Sequence, residues 1–257
     1  MSAYFGHHKC ATNWVANVME ATCDALSLTH VRFNNWLVFE RPEIPQSKLF
    51  ARDFAAAARD LKVDFVSFTD AEPEYPGLPG IDRGFHVIRD PRDMVVSAYF
   101  NHLHGHTVEN LPGLAEHRQQ LLRVSKIDGL IEVIRFLKPV LDDLRNWNYG
   151  NGSVLEVRYE DMVADSKVSF SKIVDHLGWR SHELSMPALE NALAANSFSC
   201  LSGGRGQGEE DLRSHYRRGV PGDWRNHFTP EVVRFFKECY NGLLVQLGYE
   251  QSLNWEL

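Results

Sequence analysis

Three segments, far apart in the chain, each combine basic side chains with small or hydroxyl-bearing neighbours where a strand would run into a helix or a glycine-containing loop. The first is Gly6-His7-His8-Lys9-Cys10-Ala11-Thr12-Asn13-Trp14. A strand feeding a loop and a helix start presents unpaired backbone N–H groups and the positive end of the helix dipole, a combination that suits phosphate or sulfate. Lys9 adds a charge and Thr12 a hydroxyl donor. The segment is not a Walker motif, because the lysine precedes the helix by several residues and no Gly-Lys-Ser/Thr ending follows. A plain strand-to-helix turn with a surface lysine is the competing reading.

The second segment, Phe85 to Tyr99, carries Arg89-Asp90-Pro91-Arg92-Asp93 and, within two turns, Ser97. Pro91 suits a first helical position, and Arg89 falls at the carboxyl edge of a strand, where open α/β sheets bind ligands. Surface pairing of Arg89 and Arg92 with Asp90 and Asp93 is the alternative. The third segment, Tyr216 to Thr229, sets Arg217 and Arg218 beside Gly219 and Gly222. Glycines let backbone amides approach an anion closely, and arginine forks match phosphate oxygens. A solvated basic turn is the alternative there.

Together these segments resemble the family of sulfotransferases that use 3′-phosphoadenosine-5′-phosphosulfate (PAPS). His8 to Trp14 is similar to that family's Pro-Lys-Ser-Gly-Thr-Thr-Trp loop for the 5′-phosphosulfate, and Arg89 to Ser97 resembles its strand and helix for the 3′-phosphate. Arg217-Arg218-Gly219 with Gly222-Asp223-Trp224-Arg225-Asn226 resembles its Arg-Lys-Gly…Gly-Asp-Trp-Lys-Asn signature. Arg158-Tyr159-Glu160-Asp161-Met162 and Asn196-Ser197-Phe198 look like its Tyr-Glu-Asp turn and Thr-Ser-Phe segment. The motifs run in the family's order from Tyr4 to Thr229.

The resemblance implies PAPS as co-substrate, adenosine 3′,5′-bisphosphate as product and no metal. Lys9, Ala11, Thr12 and Asn13 would hold the 5′ end, with Trp14 on the adenine. Arg89, Ser97, Arg217, Arg218 and Gly219 would grip the 3′-phosphate, while Tyr159, Ser197 and Phe198 complete the base pocket. Family members acting on small hydroxyls carry a catalytic histidine in a Lys-Thr-His segment, where this chain reads Phe68-Thr69-Asp70. Asp70 is therefore the candidate base, with His8 and Glu40 in reserve; a carboxylate that only caps the following turn is the competing reading. A free aspartate, with a pKa of about 3.9, needs burial or a neighbouring carboxylate to act on an alcohol. Pro, Ser, Gly and the second Thr of the family's loop are replaced by His8, Cys10, Ala11 and Asn13, which removes a permissive glycine. The family's dimerisation stretch survives only as Arg225, Thr229 and Pro230 with Arg234 in place of a glutamate, so the oligomeric state is left open.

Other chemistries compete with this reading. His102, His104 and His106 lie close enough to suggest a metal, but no carboxylate or cysteine accompanies them at ligand spacing. A nucleotide kinase would need a metal-binding Ser/Thr directly after its lysine, whereas Thr12 follows Lys9 by three positions. A nucleotide sensor without turnover also fits the motifs.

The elements that must position these residues follow from periodicity. Short apolar runs at Ala3–Gly6, Asp64–Phe68, Gly84–Ile88 and Val154–Val157 read as strands. Helical stripes lie between them, at Trp14, Val15, Val18, Met19 and Leu26, and again from Leu130 to Leu144. A last helix should start near Thr229 and Pro230 and end at Gly248. Glycines in Ser202–Gly208 mark a flexible loop or lid. The expected fold is α/β: a single domain spanning residues 1–257, with a mainly parallel central sheet flanked by helices and a phosphate-binding strand-loop-helix at the N-terminus.

Bulk properties agree with one enzyme-sized unit. The chain has 257 residues, 44% hydrophobic, enough for a sizeable core. Its formal charge of −7 argues against a broad polyanion-binding face, so no nucleic-acid partner is expected. Cys10, Cys23, Cys200 and Cys239 show no paired spacing, which suits a reducing cytoplasm. No window reaches the roughly 18 apolar residues of a membrane span. The acceptor, whether a small molecule, a glycan or a lipid, is not legible.

Overall fold

A computed structural model of the chain describes residues 1–33, 58–105 and 112–256. In chain order the elements are β1 (Ser2–Phe5), α1 (Thr12–Ala25), β2 (His30–Phe33), β3 (Phe65–Phe68), β4 (Arg83–Ile88), α2 (Pro91–Phe100), α3 (Pro112–Leu121), α4 (Lys126–Phe136) and α5 (Lys138–Asn146). They continue as β5 (Val154–Arg158), α6 (Tyr159–Ala164), α7 (Ser166–His176), α8 (Ser185–Ala195), α9 (Phe198–Leu201) and α10 (Pro230–Gln246). These fall into two units, Met1–Ile88 with Trp147–Ser197 and Arg89–Asn146 with Phe198–Leu257.

The first unit holds the sheet, ordered β2-β3-β1-β4-β5 with every neighbouring pair parallel. Parallel strands covered on both faces read as continuous apolar runs. Accordingly Ala3, Tyr4 and Phe5 of β1 and all of β3 are buried. Phe5 stacks on Phe68, and Tyr4 on Phe85, so adjacent strands interlock through their rings. Strand order reverses about β1, which has β3 on one side and β4 on the other, and the carboxyl ends at such a switch point are where open α/β sheets bind ligands.

Local chemistry explains most helix limits. α1 buries Val15, Val18, Met19 and Cys23 along one stripe and packs against α8. In the second unit, Pro91 opens α2 and the Asp90 carboxylate caps it by accepting from the Arg92 N–H at 2.9 Å. The stripe from Leu130 to Leu144 divides into α4 and α5, because Pro139 has no N–H to continue the ladder of the preceding helix. α10 follows Thr229 and closes just before Gly248, whose φ of 69° suits the left-handed turn past a helix end.

The four expected strands form within a residue or two of the anticipated limits. β2 was not foreseen: it is only four residues long, and among the described strands it pairs with β3 alone, at the edge of the sheet. Its Arg32 is anchored by Glu20 and Asn17 of α1, each at 2.7 Å. Residues 202–208 have no regular element, as expected, yet they are braced rather than loose. Arg205 donates to the carbonyls of Ser202, Glu209, Tyr216 and Arg217 at 2.7–3.3 Å. Among the described residues no helix is long and apolar enough to cross a membrane.

Gly84 on β4 shows how tightly the sheet is packed: a Cβ there would lie 2.5 Å from the Phe5 ring and 3.0 Å from the Ala3 carbonyl. Gly84→Ala should therefore lower stability by about 1–3 kcal/mol. Urea unfolding checks this, with a lower midpoint at unchanged slope as the expected result.

Candidate active site

The end of β1 is tied to the end of β3. Gly6 N–H donates to the Phe68 carbonyl and Ala71 N–H to the Gly6 carbonyl, both at 2.8 Å, which carries His7 to Thr12 alongside Thr69-Asp70-Ala71. Gly6 must lack a side chain, since a Cβ would sit 2.4 Å from the Tyr4 hydroxyl and 2.7 Å from Thr12 Cγ2. Lys9 and Ala11 both adopt left-handed backbone, with φ of 69° and 58°. Left-handed residues within a turn direct successive N–H groups toward one side, as anion-binding loops do. α1 then begins at Thr12 without a side-chain cap or an acidic residue in its first turn. This end of the helix keeps its positive character.

Asp70 belongs to the same place. Burial pushes its carboxyl up to about 7, and the nearby Lys9 charge pulls it the other way. Lys9 and Asp70 are thus within electrostatic reach of each other, and His8 lies in the same turn. Glu40 lies outside the described residues. Trp14 meets the Phe170 ring edge-on at 5.5 Å, Tyr159 is buried at the start of α6, and Ser197 follows α8. All three belong to the sheet unit.

Arg89, Ser97, Phe198, Arg217, Arg218 and Gly219 belong to the helical unit. Gly219, with φ of 69°, packs so closely on Phe198 that a Cβ would fall 2.4 Å from its ring. Arg217 and Arg218 both pair with Asp223, and Arg217 also with Glu210. Burial alone would raise the Asp223 pKa, but hydrogen bonds from His227, Asn226 and Arg217 outweigh it and hold the carboxyl well below the usual range. Asp93 accepts the N–H groups of Gly222 at 2.6 Å and Trp224 at 2.9 Å, linking the second and third motifs directly. Burial raises the Asp93 pKa, opposed chiefly by the charge of Arg89. Arg92 is structural. Its guanidinium pairs with Asp90 and Glu250 and lies over the rings of Trp224 and Trp255.

The histidine cluster separates. His102 is buried against His117 and Phe136, His104 is exposed, and His106 lies outside the described residues. Among the described residues, the group whose ligand atoms converge is Glu210, Asp223 and His227, and there both carboxylates are engaged by arginine.

Sequence reasoning missed Arg205, whose bonds to the carbonyls of Tyr216 and Arg217 hold the backbone of the third motif. A lone arginine among glycines was its only signal. It also missed His7, His86 and Glu156, which meet in the sheet unit although 79 and 70 residues separate successive members.

Residues 85–248 match the family model described as a sulfotransferase domain. Sulfotransferase 2A6 of Mus musculus is 29% identical over 175 residues, covering 62% of this chain and 55% of that protein. The 3-alpha-hydroxysteroid sulfotransferase of Cavia porcellus is 26% identical over 182 residues, covering 66% and 58%. The chain thus spans little more than half the length of these relatives. Among solved structures, mouse sulfotransferase SULT7A1 complexed with PAP superposes with a TM-score of 0.61 at 20% identity, over 98% of this chain and 87% of that one. Retinol dehydratase in complex with androsterone and inactive cofactor PAP gives 0.50 at 15% identity, over 95% and 80%. At these identities the likeness is one of fold, and it extends across the N-terminal strand and turn that the family model leaves out.

Ala11 carries a testable strain. A left-handed alanine costs about 1–2 kcal/mol, whereas the added freedom of a glycine in the unfolded chain returns about 0.4–1 kcal/mol. Ala11→Gly should therefore stabilise the fold by roughly 0.5–1 kcal/mol, read as a raised urea midpoint.

Proposed function

The chain belongs to the sulfotransferase family, and on that premise we propose that it transfers a sulfuryl group from PAPS to a hydroxyl or amine of its acceptor by direct in-line displacement. The observation that carries this reading is the left-handed turn at Lys9 and Ala11, set at a sheet switch point beside a carboxyl raised to about 7. Lys9, Ala11, Thr12 and Asn13 receive the 5′-phosphosulfate, and Arg89, Ser97, Arg217, Arg218 and Gly219 receive the 3′-phosphate. Trp14, Tyr159, Ser197 and Phe198 hold the adenine. Arg217 and Arg218 each have five N–H donors, enough to serve Asp223 and a phosphate together. In this reading both units act as one domain. The four free cysteines fit a reducing cytoplasm.

As the acceptor's oxygen or nitrogen bonds to sulfur, the sulfur–oxygen bridge breaks and its electron pair stays on the leaving phosphate. Lys9 and the amides of the α1 start stabilise the charge growing on that oxygen, so positioning and electrostatics supply most of the rate without a metal. Asp70 accepts the acceptor's proton. Its elevated pKa makes it a far better base than an ordinary aspartate.

Adenosine 3′,5′-bisphosphate at about 100 times its dissociation constant should stabilise the protein by roughly 2.7 kcal/mol, and AMP by much less. Equal thermal shifts from the two nucleotides would remove the 3′-phosphate site. Because Asp70 works only when ionised, turnover should rise with pH through about 7. Asp70→Asn should abolish that rise and cut turnover roughly a hundredfold, leaving nucleotide affinity unchanged. Sulfur-labelled PAPS with a panel of acceptor classes is the assay, and near-normal turnover in the variant would exclude Asp70 as the base.

A further inference from the structure

Next to the Lys9 turn, the sheet unit holds two buried histidines and a partly buried glutamate that the transfer chemistry above leaves unused. In the parallel register His86 on β4 lies opposite Glu156 on β5, and His7 directly follows Gly6 at the end of β1, the other neighbour of β4. His86 Nδ1 is 2.7 Å from Glu156 Oε2, and its Nε2 is 2.8 Å from His7 Nε2. Both rings are no more than 1% exposed, whereas the Glu156 side chain is 27% exposed. Trp147 stacks on His86 and donates its indole N–H to Glu156 Oε1 at 3.0 Å. The chain of contacts thus runs from a partly solvated carboxyl inward to a residue two positions before Lys9.

With both imidazoles neutral, hydrogen-bond valence restricts this chain to two states. A neutral imidazole has one N–H, so two facing Nε2 atoms can bond only if one carries a proton and the other does not. Indole N–H is a donor only, which makes Oε1 an acceptor and leaves Oε2 as the oxygen facing His86. With Glu156 ionised, His86 donates from Nδ1 and accepts at Nε2 from His7, so His7 Nδ1 bears a lone pair. With a proton on Oε2 every bond reverses, and His7 Nδ1 bears a hydrogen. Burial disfavours an imidazolium at either ring, as their depressed pKa values reflect.

We propose that Glu156, His86 and His7 form a proton relay serving the transfer site, in which the state of Glu156 decides whether His7 Nδ1 is a lone pair or an N–H. The relay's role rests on the sulfotransferase reading. The proton released when the acceptor bonds to sulfur passes from the Lys9–Asp70 turn to His7 Nδ1. The His7 Nε2 proton moves to His86 Nε2, and the His86 Nδ1 proton moves to Glu156 Oε2. Glu156 holds that proton until the product has left, and the same transfers in reverse then release it through the turn and restore the starting tautomers. Each ring gains one proton as it loses another, and no oxidant or reductant is required. Burial raises the Glu156 carboxyl to about 7, with the Trp147 bond pulling it down, so the exchange falls near neutral pH. Of the groups around the chain, Tyr149 is within electrostatic reach of Glu156 and Cys10, and its phenol is pushed up, mainly by burial, so it stays protonated there. Arg158 is two residues along β5 from Glu156, Lys9 lies on the turn beyond His7, and Asp70 lies on the segment after β3 that is tied to the start of that turn.

Imidazole ¹⁵N spectra of the full chain across pH 5–9 test this directly. The protonated nitrogen should switch from Nε2 to Nδ1 in His7 and from Nδ1 to Nε2 in His86 as pH falls, with one shared midpoint. Rings that keep one tautomer, or that become imidazolium, would overturn the relay. Glu156→Gln supplies the second test. Trp147 demands the amide oxygen, so the amide NH₂ must face His86 Nδ1 and lock the low-pH arrangement at every pH. Turnover should then fall roughly tenfold with the adenosine 3′,5′-bisphosphate affinity unchanged, whereas Asp70→Asn should leave both tautomers free to switch. Unchanged turnover in a folded Glu156→Gln protein would remove the relay from the reaction. Absence of nucleotide binding in the wild type would instead sink the functional reading while the spectra still report on the relay.

Discussion

Because β1 lies between β3 and β4 with its side chains buried, the chain leaving its carboxyl end must turn sharply within a few residues to enter α1. Much of the candidate chemistry depends on that constraint. Gly6 passes too close to Tyr4 and Thr12 for a side chain, and Lys9 and Ala11 are forced into left-handed backbone. The same crowding that strains the turn gathers its N–H groups and desolvates Asp70. A more open turn would be easier to fold and poorer at holding an anion, since it would lose both the amide geometry and the raised carboxyl.

Asp93 has the comparable role in the helical unit. One carboxylate on the first turn of α2 receives the amides of Gly222 and Trp224, so the helix that begins the second motif fixes the turn that ends the third. Asp223, next in that turn, takes up both Arg217 and Arg218. The arginines are therefore presented by an acidic scaffold. Arg205 completes it from the opposite direction by gripping the carbonyls of Tyr216 and Arg217. A chain of net charge −7 can in this way carry a local cationic site.

Burial has opposite outcomes at different carboxyls. In the sheet unit it raises the carboxyls of Asp70 and Glu156, which makes them proton acceptors near neutrality. In the helical unit hydrogen bonds overcome burial at Asp223, which stays ionised and serves as an anchor. Carboxyls acquire opposite functions according to whether the hydrogen bonds and charges around them outweigh their burial.

The apolar runs of β1, β3, β4 and β5, the Pro91 and Pro230 helix starts and the Gly248 stop were legible in the sequence, since each depends on local patterning or on backbone chemistry carried by one residue. So were the three basic segments, because basic residues beside glycines and helix starts form a local signal. β2 was not, as four residues at a sheet edge are too short a run for their alternation to stand out. Only tertiary structure joined Asp93 to Gly222, raised Asp70 toward neutrality, and stacked His7, His86 and Glu156 into one chain. Those relations arise from strand order and burial, which bring together residues 70 to more than 100 positions apart, and no spacing rule along the sequence records them.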